Sequence, residues 1–278
     1  MARGVWKPTE VLWFKRTVDS STSVAHVETD AGPAYLKALG NPEGPHALVR
    51  ELIGVQVAET LGLPTFDWAL LTIGEIDEIP LTDGTYAEPG PAFVTRHCPG
   101  EPWNGDRKQL RALGNPGDIT RLMMLDTFLL NADRCPPDGM ERNPNRDNVF
   151  LSWMGRPSEK PRLVAMDFTH CLGGGRELGA WLKRIDCVKD DRVYGCFPAF
   201  REFLKIEVRD AVLEALKHLH SNTVDDMVKA VPREWQCDES TRLAVGEFLK
   251  RRANFMVGHL EQIGFPFPPQ QGMLGGGR

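Results

Sequence analysis

Three polar runs, each set against apolar sequence, most constrain what this chain can fold into. Phe128-Leu-Leu-Asn-Ala-Asp-Arg134 closes an apolar stretch, Asn143-Pro-Asn-Arg-Asp-Asn-Val-Phe150 follows a loop-like interval, and Leu163-Val-Ala-Met-Asp-Phe-Thr169 ends an apolar strand on an Asp. An Asp-Arg pair, an Asn fifteen positions after that Asp, and a terminal Asp supply a base, an amide oxygen and a carboxylate. These are the donor types of magnesium-nucleotide chemistry. A fold that serves them has to bring a helix end, a loop and a strand end to one place.

Ahead of these runs the text reads as strands: Glu10 to Lys15, Thr22 to Thr29, and Pro33 to Leu39 after the turn signal Asp30-Ala-Gly-Pro33. In the third run Ala34, Leu36 and Ala38 alternate with Tyr35, Lys37 and Leu39, which puts Lys37 on a face with two sizeable apolar side chains. Such a lysine needs a counter-charge. The segment from Pro45 to Leu61 has helical spacing and a Gly62 stop, and Glu51 sits at the edge of its inward stripe as the candidate partner. Strands resume at Asp67 to Ile73 and Ala92 to Arg96. The turn-rich interval from His97 to Gly105 marks a boundary between lobes.

Beyond it, Leu122, Leu125, Leu129 and Leu130 recur at helical spacing from Asp118 to Asn131 and deliver Asn131-Ala-Asp-Arg134 at a helix end. Cys135 to Asp147 holds three Pro, one Gly and two Asn, so it reads as a loop. Val149 to Trp153 and Arg162 to Met166 are short strands, and Phe200 to Ile263 is mostly helical. The expected organisation is an N-lobe over 1–97, a connector over 98–105, a helical C-lobe over 106–265 and a frayed tail over 266–278.

Phosphoryl transfer asks a protein mainly to position two reactants and to screen charge. Lys37 would neutralise phosphate oxygens and Glu51 would brace it, against the plain alternative of a surface lysine on an edge strand. Asp133 would orient or deprotonate an attacking hydroxyl, while Asn148 and Asp167 offer hard oxygen ligands. Taken singly, each is as well explained by a turn or a cap. Arg134 could pair with a carboxylate or steady phosphate. Asp126, two helical turns before Asp133, could support the loop from below. The run Asp19-Ser20-Ser21-Thr22-Ser23 could offer hydroxyls and N–H groups to phosphate, or be a polar hairpin turn. His170 and Cys171 lack further ligands at metal spacing and read as packed side chains. Gly173 to Gly175 match no nucleotide fingerprint and read as a mobile stretch of the activation-segment kind.

Composition bounds the partners. With 278 residues, 41% of them hydrophobic and 26% charged, the chain is long enough for a two-lobed globular unit. A net charge of −5 without a basic block argues against nucleic acid. No apolar run reaches the roughly 20 residues of a membrane span, and the start lacks a signal-peptide core, so a cytoplasmic address without a membrane partner is expected. The six cysteines form no C-x-x-C pair and read as free thiols.

Ala34-Tyr-Leu-Lys-Ala38, Arg50-Glu51 with Ala58-Glu-Thr-Leu-Gly-Leu-Pro64, Asn131-Ala-Asp-Arg134, Asp147-Asn-Val-Phe150 and Met166-Asp-Phe168 together resemble the HipA-like kinases, in particular their compact branch. The resemblance implies an α+β, bilobal protein-kinase-like fold with a strand-rich N-lobe, and ATP with Mg2+. It also implies γ-phosphate transfer to a Ser or Thr hydroxyl of a protein. By resemblance Lys37 binds phosphates, Glu51 braces it, Asp133 is the catalytic aspartate, and Asn148 and Asp167 hold metal; Arg134, next to Asp133, is counted with the catalytic residues on its own chemistry. Ser20, Ser21, Thr22 or Ser23 would be the autophosphorylated hydroxyl of a toxin with an antitoxin-like partner. The sequence departs from the family in a phosphate loop without glycine and in a longer interval from Cys135 to Asn145. A small-molecule or lipid kinase on the same fold and a nucleotide-binding pseudokinase are the alternatives.

Overall fold

The computed structural model describes residues 6–153, 159–219 and 221–267. The tail expected to fray lies outside these residues, apart from Pro266 and Phe267. Strands β1 (Val11–Thr17), β2 (Ala25–Thr29) and β3 (Gly32–Leu39) are followed by helix α1 (Pro45–Thr60), then by β4 (Trp68–Ile73) and β5 (Glu88–Arg96). They form one antiparallel sheet in the order β1-β2-β3-β5-β4. The alternation in β3 has the outcome expected of it. Ala34, Leu36 and Ala38 are buried with Val27, Leu71, Ile73 and Val94 in a small core, while Tyr35 and Lys37 face the other way. Lys37 is paired in register with Phe93 of β5.

Pro45 opens α1, where its missing N–H costs nothing. Gly62 ends it in the left-handed region at φ 72°, with its N–H on the Glu59 carbonyl (3.0 Å) and the Leu63 N–H on that of Ala58 (2.9 Å). This pair of bonds satisfies two carbonyls at the helix terminus. α1 is buried along most of its length because it packs against the sheet on one side and the second lobe on the other.

The second half begins inside the expected connector. β6 (Gly100–Pro102) pairs with β7 (Phe150–Ser152), which pairs with β8 (Arg162–Val164) in a three-stranded sheet. Turn-rich composition hid β6, whose three exposed residues have no alternation to read. Between them lie α2 (Arg107–Arg111) and α3 (Asp118–Leu129), followed by α4 (Ile185–Val188), α5 (Ile206–Lys217), α6 (Ser221–Lys229) and α7 (Glu239–Gly258).

α3 is the centre of this lobe, and Leu122, Met123, Met124, Leu125, Phe128 and Leu129 are all fully buried. Among the links that fasten the halves are two away from the polar end of the cleft. The Ala165 N–H donates to the Pro64 carbonyl (2.8 Å), and the buried Trp235 indole donates to Pro91 of β5 (2.7 Å). No helix among the described residues is long and apolar enough to cross a membrane.

Candidate active site

β3 and α1 deliver the first half of the site. Lys37 Nζ pairs with Glu51 Oε1 and donates to Asp167 Oδ1 (3.1 Å) and Thr169 Oγ1 (3.0 Å). Glu51 Oε1 also accepts from the Phe168 N–H (3.1 Å) and the Thr169 hydroxyl (2.7 Å). One carboxylate therefore holds both the lysine and the chain that follows Asp167. Burial draws the Lys37 ammonium down, but Asp167 and Glu51 outweigh it and keep the group charged through the neutral range. Burial likewise opposes ionisation of Asp167, yet Lys37 and its hydrogen bonds hold the carboxyl below the ordinary carboxylate range. For Glu51 burial wins and raises the carboxyl, against the pull of Lys37.

Asp167 has φ 56°, a left-handed conformation that a non-glycine residue adopts at a cost of about 1–3 kcal/mol. The residues on either side show what maintains it. Met166 gives its carbonyl to Arg134 (2.6 Å), and Phe168 packs its ring on Gly54 of α1, where an added Cβ would lie 2.3 Å from the ring.

α3 delivers the second half. It ends at Leu130 in the left-handed region, which turns Asn131 back so that its amide donates to Asp126 Oδ1 (3.0 Å) and its carbonyl oxygen accepts the Asp133 N–H (3.2 Å). Asp133 Oδ2 accepts from the Asn148 amide (2.6 Å), and Oδ1 pairs with Arg142. That bond fixes the Asn148 nitrogen on Asp133 and leaves its amide oxygen for a cation. With the Asp167 carboxylate, this oxygen makes a hard donor set of the kind Mg2+ takes, so the residues present fit the ion.

Of the two roles expected for Arg134, the structure shows pairing with a carboxylate, and burial corrects the expectation that it works on the reacting groups. It has no solvent exposure and pairs with Asp126 at the base of the loop. Its other nitrogens donate to the carbonyls of Asn148 (2.9 Å) and Met166 (2.6 Å). Arg134 thus ties α3, the Asn148 turn and the Asp167 strand together, with Asp126 beneath it as its counter-charge. The interval expected to be a loop leaves and returns at one neck, closed by the Asn145 N–H on the Arg134 carbonyl (2.9 Å).

A cleft of about 550 Å3 opens between the sheet and the second lobe, a size within the roughly 300–1,000 Å3 of small-molecule and cofactor sites. Lys37, Glu51, Asn148 and Asp167 line its polar end, and Val18, Val24, Phe66 and Phe93 its apolar walls. Tyr35 and His97 line it too, and His26 stacks with Tyr35 at 4.9 Å and with His97 at 5.5 Å. Of the four hydroxyls between β1 and β2, only Ser20 lines the cleft. Ser21 is exposed, whereas Thr22 and Ser23 are buried, the latter with its hydroxyl on Thr82. Thr22 and Ser23 therefore do not present hydroxyls to the cleft, because the turn packs them under itself.

Two further arginines were given no role by the sequence, although Arg50 stands in one of the motifs of the resemblance. Arg50, beside Glu51 on α1, is buried and donates to the carbonyls of Cys171 (2.9 Å) and Arg176. On the same helix His46 accepts the Leu178 N–H at Nδ1 (2.9 Å). The chain on either side of Gly173 to Gly175 is thus held to α1 at three points, at Cys171, Arg176 and Leu178. Arg142 is the other, and only its contact with Asp133 reveals it.

Sheet, helix, cleft and converging carboxylates together define a bilobal, protein-kinase-like fold. Among solved structures the chain is similar to the Helicobacter pylori proinflammatory kinase CtkA, with a TM-score of 0.56 at 12% identity over 92% of this chain and 97% of that one. It is also similar to HipA of the Shewanella oneidensis MR-1 toxin–antitoxin system, solved with HipB and operator DNA. That likeness has a TM-score of 0.43 at 11% identity over 95% of this chain and 69% of the other. The expected bilobal, protein-kinase-like fold is present, as the likeness to CtkA shows. No protein-family model and no curated protein matches the sequence.

Proposed function

We propose that this chain is an ATP- and Mg2+-dependent phosphotransferase that moves the γ-phosphoryl group to a Ser or Thr hydroxyl of a protein. The observation that carries the reading is the meeting of Lys37, Glu51, Asp167 and Asn148 at one end of a nucleotide-sized cleft, with Asp133 held against Asn148 just outside it. Lobes over 1–97 and 106–265 meet at that cleft, and Cys98, Pro99, Gly100 and Pro102 of the proposed 98–105 connector line it, with β6 joining the sheet of the second lobe.

Each residue has a task that its surroundings support. Lys37, kept cationic by its two carboxylates, binds phosphate oxygens, and Glu51 holds it in place. Asn148 and Asp167 would hold Mg2+, which when bound supplies charge neutralisation for the polyphosphate. Asp133 orients the acceptor hydroxyl and takes its proton at Oδ1. The new bond joins the acceptor oxygen to phosphorus, the bond from that phosphorus to the bridging oxygen breaks, and ADP leaves with the electron pair. Arg134 is a positioning residue. For autophosphorylation Ser20 and Ser21 are the available hydroxyls, since Thr22 and Ser23 are buried. A toxin role with an antitoxin-like partner belongs to this reading only through the family resemblance.

The test is transfer from γ-labelled ATP by wild type, Asp133→Asn and Asp167→Asn, with and without Mg2+, followed by mass spectrometry of residues 19–23. Transfer in the wild type alone, abolished by chelation, is expected. Full transfer by Asp133→Asn would remove Asp133 as the base.

A further inference from the structure

Both carboxylate oxygens of Asp133 are engaged: Oδ2 by the Asn148 amide and Oδ1 by Arg142. Under the reading above, Oδ1 is the atom that must accept an acceptor proton. Arg142 comes from the excursion between Arg134 and Asn145, and its side chain is 38% exposed against 12% for Asp133. An ion pair open to water on one side is weak and readily exchanged. Its place separates it from the nucleotide. Asn148, Asp147 and Asp167 line the cleft, but neither Asp133 nor any residue from 134 to 146 does. Going outward from the cleft, the order is therefore Asn148, Asp133, Arg142, which puts the guanidinium on the acceptor side.

From this, and resting on the phosphotransferase reading, we infer that Arg142 selects the acceptor: a Ser/Thr segment of protein with an Asp or Glu beside the hydroxyl. In the free protein Arg142 occupies Asp133. An acceptor carboxylate offers the guanidinium a two-point partner in its place, which draws Arg142 outward and releases Oδ1 for the hydroxyl. A basic acceptor makes no such exchange and is repelled. The same contact thus blocks the base when no acceptor is present and reads charge when one arrives.

The experiment measures binding first. Two fluorescent Ser-containing peptides of equal length, one flanked by Asp and Glu and one by Lys and Arg, are titrated by anisotropy. The full chain is used with Mg2+ and a non-hydrolysable ATP analogue, as wild type, Arg142→Ala and Arg142→Glu. Wild type should favour the acidic peptide by about tenfold, the worth of one charge-assisted pair. Arg142→Ala should bring the ratio near one, and Arg142→Glu should invert it. An equal or inverted ratio in the wild type, or a ratio that neither substitution changes, overturns the inference. Phosphate transfer is followed in parallel. Acid preference dependent on Arg142 without any transfer would sink the phosphotransferase reading and leave Arg142 as a peptide-binding residue. Transfer with no dependence on Arg142 would sink the selection alone.

Discussion

Gly54 offers the most demanding test of how the site is held, because it sits where α1 meets Phe168. A Cβ built there lies 2.3 Å from Phe168 Cγ and 2.4 Å from its Cβ, against the 3.4 Å or more of ordinary contact. Rotating the ring relieves the first clash but not the second, since the Phe168 Cβ is fixed by the backbone. Gly54→Ala must therefore shift the chain at Asp167–Phe168 or the helix by about 1 Å. Overpacking of this kind costs up to about 3 kcal/mol, and the better helix propensity of Ala returns ~1 kcal/mol, which leaves about 2 kcal/mol. For a chain of this size the melting temperature should fall by about 4–8 °C. Phosphate transfer should fall further, by about 100-fold for a 1 Å displacement of Asp167 and of Glu51, which faces Lys37. Gly246→Ala is the control. Its Cβ would meet Val224 and Val228 at 3.8 Å, so it should stabilise α7 by about 0.5–1 kcal/mol and leave transfer unchanged. Denaturant melts and γ-phosphate transfer on both variants decide the matter. A Gly54→Ala protein as stable and active as wild type would refute the packing argument.

Three other expectations follow from single contacts. Arg134→Met should cost about 3–5 kcal/mol in denaturant unfolding, because it removes three directed donors and leaves Asp126 buried without its counter-charge; a loss under 1 kcal/mol would contradict its tying role. Arg50→Met removes the donors for two carbonyls of the segment after Asp167, and hydrogen exchange over 171–178 should speed up relative to α3, whereas unchanged protection would show that the helix does not hold the segment. His26 is pulled below its ordinary 6.5 by burial, then by Lys15, His97 and Arg16. Protons therefore favour the unfolded chain, and stability is constant above that value and falls as pH drops through it toward the folded value. His26→Phe should flatten the decline in melting temperature measured from about pH 8 to about pH 5.

What the sequence made legible divides along physical lines. Lys37 and Glu51 could be paired from local alternation and helical spacing, because burial on one face is written into a strand or helix by its period. The order of Asp133, Asn148 and Asp167 was readable because each falls at an element boundary marked by apolar residues. Contacts that depend on where separate elements land were not readable. Arg134 has the same sequence signature whether it faces the cleft or the interior, and only the position of the Asn148 and Met166 carbonyls decides. Thr22 and Ser23 look as polar as Ser20, but the turn that packs them inward depends on Thr82, far along the chain. Gly54 looks like a weak helix residue until Phe168 arrives against it. β6 is too short and too exposed for any period to show.

The neck at Arg134 and Asn145 makes the excursion between them separable from the chemistry. Arg134 reaches the Asn148 and Met166 carbonyls by its own side chain, so the chemical groups keep their spacing whatever length of chain passes between Cys135 and Pro144. Cys135 and Pro137 at its start are buried, and the Cys135 carbonyl accepts the Gly195 N–H (2.8 Å), so the part open to changes of length is the stretch from Asp138 to Pro144. A graft over that stretch would leave Asp133, Asn148 and Asp167 where they are, so under the proposed phosphate transfer it would change which acceptor is met without moving the groups that act on it.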